Sequence, residues 1–511
     1  MSQQLKYSNS HDIKNYIGDV RHSFESGTTL SFKWRIQQLK SMRAMVKENE
    51  EEICRALRED LGRCTAEAIM GAIVSVLNEV QELSYNLAQL MRPRPVANPV
   101  GYQPGKAYIK PEPLGVILII TPWNFPCSLP LAILAGAIAA GNTIILKLSE
   151  RSPATSSLLG NLITKYLDTT CIKVVQGGKT ETTQLLEAKF DHICYTGGEA
   201  VGKIVMQHAA KTLTPVTLEL GGKCPVYVHS DATLSSSARK ILQGRLFNAG
   251  QMCISPDYVI VHESKLESFI EAIKTAARQF YGPDLKKSPD YGRIIDERHF
   301  DQLNSYLKDD HGGEVITIGG PADEADLFLP FSIVKNPSDE SAVMNEVTFG
   351  PILVVKSVPS LESAIQLIRS KPKPLAAYLC SNNKHIQQIF EDRVSSGSLG
   401  INEILFQATH PNLPFGGVGS SGMGAYRIAK SFETFSHMKS VLSKPAWFDP
   451  PQRYPPYTSL NVKMIRPLYD GTVNSILRLA RKISTVVLIT CSAVFVAWYW
   501  ASNQKVQAIV N

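Results

Sequence analysis

Three side chains in this 511-residue chain have a type and setting that could do chemistry. Cys253 lies in NAGQMCISPDY, a turn-rich stretch of small and polar residues, whereas the other cysteines do not share such a setting. A thiol there, once ionised, is a nucleophile; read alone, the same residue is a small buried hydrophobe. Glu219 lies in TLELGGK, an acid at the end of an apolar strand just before a Gly-Gly turn. That position suits a general base, and equally a solvated strand-end charge. Asn124, in TPWNFP, follows the first buried strand, where its amide could hold an oxyanion or merely form a turn between two prolines.

The elements that must position these residues follow from periodicity. Residues 30–61 read as helix, stopped by Gly62, and residues 91–113, with six prolines, as an extended connector. A continuous apolar run at 115–121 reads as a strand buried on both faces of a parallel sheet, and 143–148, 172–176 and 192–197 read as a second, third and fourth strand. They alternate with helices over 129–141, 156–167 and about 199–211, which gives a doubly wound α/β unit, a standard setting for a nucleotide. No Gly-x-Gly-x-x-Gly follows the first strand, so the ordinary dinucleotide fingerprint is missing. A second α/β stretch runs from about residue 218 to 400, and the Gly-rich PFGGVGSSGMGAY (414–426) closes it.

Taken together, TPWNFP, LELGGK, GQMC, FGP and PFGGVGSSGMGAY occur in an order and spacing that resembles the NAD(P)-dependent aldehyde dehydrogenase superfamily over residues 30–445. Within it, LTPVTLELGGK and LPFGGVGSSGMGAY look like the class 3 branch, and the basic linker and apolar tail look like membrane-anchored fatty aldehyde dehydrogenases. The resemblance implies a Rossmann-type cofactor domain, an α/β catalytic domain, a small oligomerisation arm and a C-terminal transmembrane helix. The expected divisions are 1–217 for N-terminal helices and NAD binding (91–113 belonging to the arm), 218–413 for catalysis and 414–445 for the Gly-rich loop and arm. A basic Pro-rich linker over 446–482 and an anchor over 483–500 complete them. Cys253 is then the nucleophile, Asn124 and the Cys253 N–H hold the oxyanion, and Glu219 activates the water that hydrolyses a thioester. A hydrolytic base at Glu219 speaks against a CoA-acylating member. Lys147, Glu150, Thr196, Gly197, Gly202 and Phe349 match cofactor-binding positions. Glycine is expected at 197 and 202 because a Cβ would obstruct phosphates at a helix N-terminus. Glu150 would repel a 2′-phosphate and favour NAD, with NADP possible; no metal is expected, and class 3 resemblance implies a homodimer.

Some positions depart from the pattern. Leu148, Tyr195, Gly198 and Phe125 replace the usual Pro, Phe, Ser and Tyr. The family's ribose-binding Glu, two residues before the Phe, is here Val347. Glu346, if the segment is extended, points to the other face unless a bulge brings it round; otherwise the nicotinamide ribose is held less firmly.

Composition bounds the rest. A 44% hydrophobic, 19% charged chain is globular and large enough for two or three domains. Nine scattered cysteines without a Cys-x-x-Cys pair speak against a disulfide framework or a zinc site. Six units of the net +7 charge lie in residues 451–511, so the body is nearly neutral and nucleic acid is not an expected partner. The tail run ISTVVLITCSAVFVAWYW (483–500) would span roughly 27 Å as a helix, about a thin bilayer core. Arg478, Arg481 and Lys482 precede it and Trp498, Tyr499 and Trp500 end it, an arrangement that orients the body toward the cytosol. A buried core helix is the alternative. The membranes expected are the endoplasmic reticulum, mitochondrial outer membrane or lipid droplet. The substrate reading is a long-chain or other apolar aldehyde; aromatic or apo-carotenoid aldehydes, or a weakened scaffold protein, are the alternatives.

Overall fold

The computed structural model describes residues 5–480 together with Ile483 and Ser492. Contacts divide the chain into two compact units, Met1–Met91 with Glu112–His437, and Arg92–Pro111 with Met438–Asn511.

The larger unit holds two sheets. One has six strands in the order Gly422–Met423, Val216–Glu219, His192–Thr196, Val116–Ile120, Thr143–Lys147, Ile172–Val175, parallel except at the first pair. The four expected strands form: three lie inside the sheet with every residue buried, and Ile172–Val175 is an outer strand, with Lys173 and Val174 only half-buried. Chain order reverses between Val116–Ile120 and His192–Thr196, and the crevice at their carboxyl ends is the usual ligand position of such a sheet. The other sheet has seven strands, ordered Glu314–Ile318, Phe331–Lys335, Ile352–Val358, Pro256–His262, Cys224–Val228, Ala376–Cys380, Ser398–Ile401. Only its first pair is antiparallel.

Two readings change here. The expected helix over 30–61 is two, Phe32–Glu48 and Glu50–Leu61, parted at Asn49, whose φ of −120° breaks the helical run. The boundary placed at residue 217 cuts the strand Val216–Glu219, which belongs to the first sheet; the second sheet begins at Cys224. Glu219 thus stands on the first sheet, and the turn Leu220–Lys223 leads to the second.

Direct contact of two backbones also joins the segments that matter. Gly250 has φ +79°, and a Cβ there would lie 2.2 Å from the Gly350 carbonyl oxygen. The loop before Cys253 therefore rests on the loop after Phe349 with no room for a side chain.

The smaller unit has a three-stranded sheet ordered Arg94–Pro95, Lys106–Pro113, Ser436–Ser443. The expected linker contains a helix, Ser459–Tyr469, with Pro467 inside it. Tyr469 meets Tyr102 edge to face at 5.5 Å, and the Val100 N–H donates to Asn474 Oδ1 at 3.0 Å. Among the described residues no helix is long and apolar enough to cross a membrane. Apart from Ile483 and Ser492, the expected 483–500 anchor lies outside the described residues.

Candidate functional site

Glu219 is 2% exposed, and neither carboxylate oxygen has a hydrogen-bond partner. This removes the reading of a solvated strand-end charge. The Gly-rich segment causes the burial: Gly422–Met423 pairs antiparallel with Leu218–Glu219, and the Leu220 N–H donates to the Ser421 carbonyl at 3.0 Å. Gly422 must be glycine, since a Cβ at its φ of +141° would sit 2.0 Å from the Leu218 carbonyl oxygen. Burial holds the Glu219 carboxyl well above the ordinary carboxylate range.

Cys253 faces the same turn. A Cβ on Gly221 would lie 3.5 Å from Cys253 Cβ, and the Cys253 carbonyl accepts from the Cys224 thiol at 3.4 Å. Six of the eight described cysteines are buried, whereas Cys253, with Cys54, is partly accessible. Burial pushes the Cys253 thiol up to about 12, and the nearby Glu219 charge adds to the effect. The backbone N–H groups of Cys253 and Ile254 act in the opposite sense, favouring the thiolate. The free thiol therefore needs a base, and the buried carboxylate is the acceptor close enough to feel its charge. Tyr426 is also buried, with its hydroxyl unpaired, and interacts electrostatically with both groups.

Asn124 is 3% exposed and donates one amide N–H to the Gln251 carbonyl, two residues before Cys253, at 3.1 Å. Its own carbonyl accepts from Arg63 Nη2 at 2.8 Å and from Asn248 Nδ2 at 3.0 Å. Arg63 Nε donates to Asn248 Oδ1 at 3.2 Å, and Glu67 accepts from the Asn248 N–H at 3.0 Å. This network holds Asn248 and Ala249 at φ of +55° and +53°, so a strained turn delivers Cys253. Burial raises Glu67 to about 7, although Arg63 opposes the shift. Sequence reasoning missed Arg63, Glu67 and Asn248; the available signals were an Arg–Glu pair four apart after the Gly62 stop and the Asn-Ala-Gly run before the thiol.

Among the cofactor candidates, Lys147 and Glu150 form an ion pair at 2.8 Å at the end of the Thr143–Lys147 strand. Thr196 is opposite Glu219 in the parallel register, with its hydroxyl buried and unpaired, and the Gly197 N–H donates to the Glu219 carbonyl at 3.0 Å. A Cβ at Gly197 would meet the Tyr195 hydroxyl at 2.2 Å, and one at Gly202 would meet Leu220 at 2.6 Å. A side chain at either position would displace the end of the Tyr195 or the Leu220 side chain. Gly198, which caps the helix Glu199–Thr212, has open space around it. An unpaired hydroxyl, an open helix N-terminus and a Lys–Glu pair at one sheet edge fit a dinucleotide.

Phe349 has φ +53° and stands edge to face with Trp123, the residue before Asn124 in the chain, at 5.4 Å. The segment before it is not a strand: the helix Ala342–Asn345 ends there. Glu346 is not brought round to replace a carboxylate at Val347, since it accepts from the Tyr306 hydroxyl at 2.6 Å; Val347 is 39% exposed.

The sequence matches the Aldehyde dehydrogenase family over residues 2–441. It is 42% identical to an aldehyde dehydrogenase of Craterostigma plantagineum, over 91% of this chain and 98% of that protein. It is 43% identical to a dimeric, NADP-preferring aldehyde dehydrogenase of Rattus norvegicus, over 87% and 98% of the two chains. A Staphylococcus aureus AldH structure in a substrate-bound state superposes with a TM-score of 0.87 at 38% identity, covering 89% of this chain and 99% of that one. The chain belongs to the aldehyde dehydrogenase family, NAD(P)-dependent oxidoreductases, and its relatives include family 3 members.

Proposed function

We propose that this protein oxidises long-chain or other apolar aldehydes to carboxylic acids from a membrane-anchored position with its body in the cytosol, as a homodimer. The observation that carries the chemistry is the buried, unpaired Glu219 carboxylate beside a partly accessible Cys253. Cys253 sulfur adds to the aldehyde carbonyl carbon, and its proton passes through Glu219 to solvent water, which leaves the carboxylate free for the hydrolytic step. The free N–H of the Asn124 amide and the Cys253 backbone N–H hold the resulting oxyanion. When bound, NAD(P) supplies the acceptor for the hydride that leaves this carbon. The acyl group then remains on Cys253 as a thioester. Glu219 takes a proton from water, whose oxygen attacks the thioester carbon; the C–S bond breaks and the acid leaves. Lys147 and Glu150 are assigned to the adenosine ribose, with Glu150 favouring NAD. Thr196 and the Gly197–Gly202 turn belong to the pyrophosphate, and Phe349 to the nicotinamide.

The tail supports the substrate class. An apolar aldehyde partitions into lipid by ~0.8 kcal/mol per CH₂, so an anchored enzyme meets it at high local concentration.

NADH formation measured across saturated aldehydes of graded length should show kcat/KM rising with chain length and no turnover by Cys253→Ala. Activity surviving in Cys253→Ala would remove the nucleophile, and equal kcat/KM at all lengths would remove the substrate class. Alkaline carbonate extraction should leave the full chain in the membrane pellet and release a chain lacking residues 478–511; full-length protein in the supernatant would refute the anchor. Folding raises the Glu219 pKa, so the stability its protonated form contributes is full below the ordinary carboxylate range and is lost as pH rises toward the folded value. Glu219→Gln carries no such charge. Its thermal midpoint should therefore gain on wild type between about pH 5 and about pH 8, and a constant difference would contradict the buried ionisable carboxylate.

A further inference from the structure

Two side-chain clusters outside the reacting groups converge on the loop that carries Phe349. The first is a buried ion cluster. Asp257 is 1% exposed and lies between Lys223, whose Nζ is 3.1 Å from Oδ1, and Arg245, 3.7 Å from the same oxygen. Both Asp257 oxygens hold Thr348: Oδ2 accepts the backbone N–H at 3.1 Å and Oδ1 accepts the hydroxyl at 2.8 Å. The Thr348 hydroxyl also accepts from Arg245 Nη2, and Lys223 donates to the Glu346 carbonyl at 2.8 Å. Arg245 reaches the thiol loop as well, donating to the Pro256 carbonyl at 3.0 Å. The second cluster grips the other side. His299 Nε2 lies 2.8 Å from the Phe349 carbonyl oxygen. The His299 N–H is capped by Asp296, which Arg151 holds at 2.6 Å, and the Arg151 guanidinium stacks on Trp123.

Phe349 adopts a backbone conformation that a non-glycine residue holds only when its surroundings impose it. The two clusters do this. The loop offers a ligand little else: Val347 has no polar group, and the Glu346 carboxylate is engaged by Tyr306. We propose that Thr348, fixed by the buried Asp257–Lys223–Arg245 cluster, and His299 are positioning residues that set the Phe349 ring against the nicotinamide and so govern hydride transfer without touching the reacting atoms. This rests on the reading of Phe349 as a cofactor residue.

Thr348 is the useful lever, because breaking the buried ion cluster itself risks unfolding the protein. Thr348→Val removes the hydroxyl that joins Asp257 to Arg245, and Thr348→Ser retains it. Each is compared with wild type and Phe349→Ala in two assays, NAD-dependent aldehyde oxidation and cofactor-free hydrolysis of p-nitrophenyl acetate. In the second, Cys253 sulfur displaces p-nitrophenolate and Glu219-activated water releases acetate; no hydride moves. Thr348→Val should lose about tenfold or more in kcat for aldehyde oxidation, as expected of a misplaced cofactor ring. Its ester hydrolysis should stay within about twofold of wild type, and Thr348→Ser should restore oxidation. A parallel loss of both activities, or no loss of oxidation, overturns the proposal. If Phe349→Ala keeps wild-type oxidation, the assignment of Phe349 to the cofactor fails first. If Phe349→Ala loses oxidation and Thr348→Val does not, that assignment stands and the positioning role fails.

Discussion

A carboxylate without a partner is costly inside a protein, and this fold is built around one. Glu219 has both oxygens buried and unpaired, a state that burial resists unless the group holds its proton. A short strand from 200 residues later in the chain imposes the condition, covering the sheet edge where the carboxylate would otherwise meet bulk water. A dry carboxyl group is a stronger base when it does ionise, and it lies where a thiol itself pushed up to about 12 needs a proton acceptor. The two perturbations explain each other: neither group is reactive alone at neutral pH, and each is positioned to change the other's protonation.

Precision comes from backbone as much as from side chains. The turn through Asn248, Ala249 and Gly250 has three successive positive φ values, fastened by Arg63 and Glu67 and seated on the Gly350 carbonyl. Asn124 is bonded to both ends of that turn, to Asn248 and to Gln251. A displacement of the thiol loop would therefore disturb the oxyanion amide and the Phe349 loop together. Such coupling suits a reaction in which attack, hydride departure and hydrolysis all occur at one carbon.

What the sequence disclosed was local. A strand buried on both faces announces itself as an unbroken apolar run, as at 116–120, whereas 143–147, 172–175 and 192–196, which include Lys147, Lys173 and His192, were readable from their alternation with helices. Cys253, Glu219 and Asn124 stood out because each lies at an abrupt change of pattern, and the fold brings Cys253 to the turn after Glu219 and joins Asn124 to the loop before Cys253. The helix Ser10–Glu25 did not stand out, since its two core residues, Ile13 and Val20, are too few to mark a face. Nor did Arg63 and Glu67, whose roles rest on Asn248, 185 and 181 positions away respectively. The return of Gly422–Met423 to the first sheet was hidden in a glycine-rich segment that reads as loop. Glycines at 197 and 202 were read for phosphate access, and nothing in the sequence signalled that a Cβ there would also press on the ends of Tyr195 and Leu220.

In the proposed reaction Cys253 carries the acyl group and Glu219 releases it. Intact mass measured on Glu219→Gln after mixing with NAD and a saturated aldehyde tests it most directly. The result expected is a gain of one acyl group, mapped to Cys253 and formed more slowly than in wild type because the amide takes no proton from the thiol, with one equivalent of NADH per adduct and no further hydrolysis. Steady turnover at the wild-type rate with no adduct would contradict it.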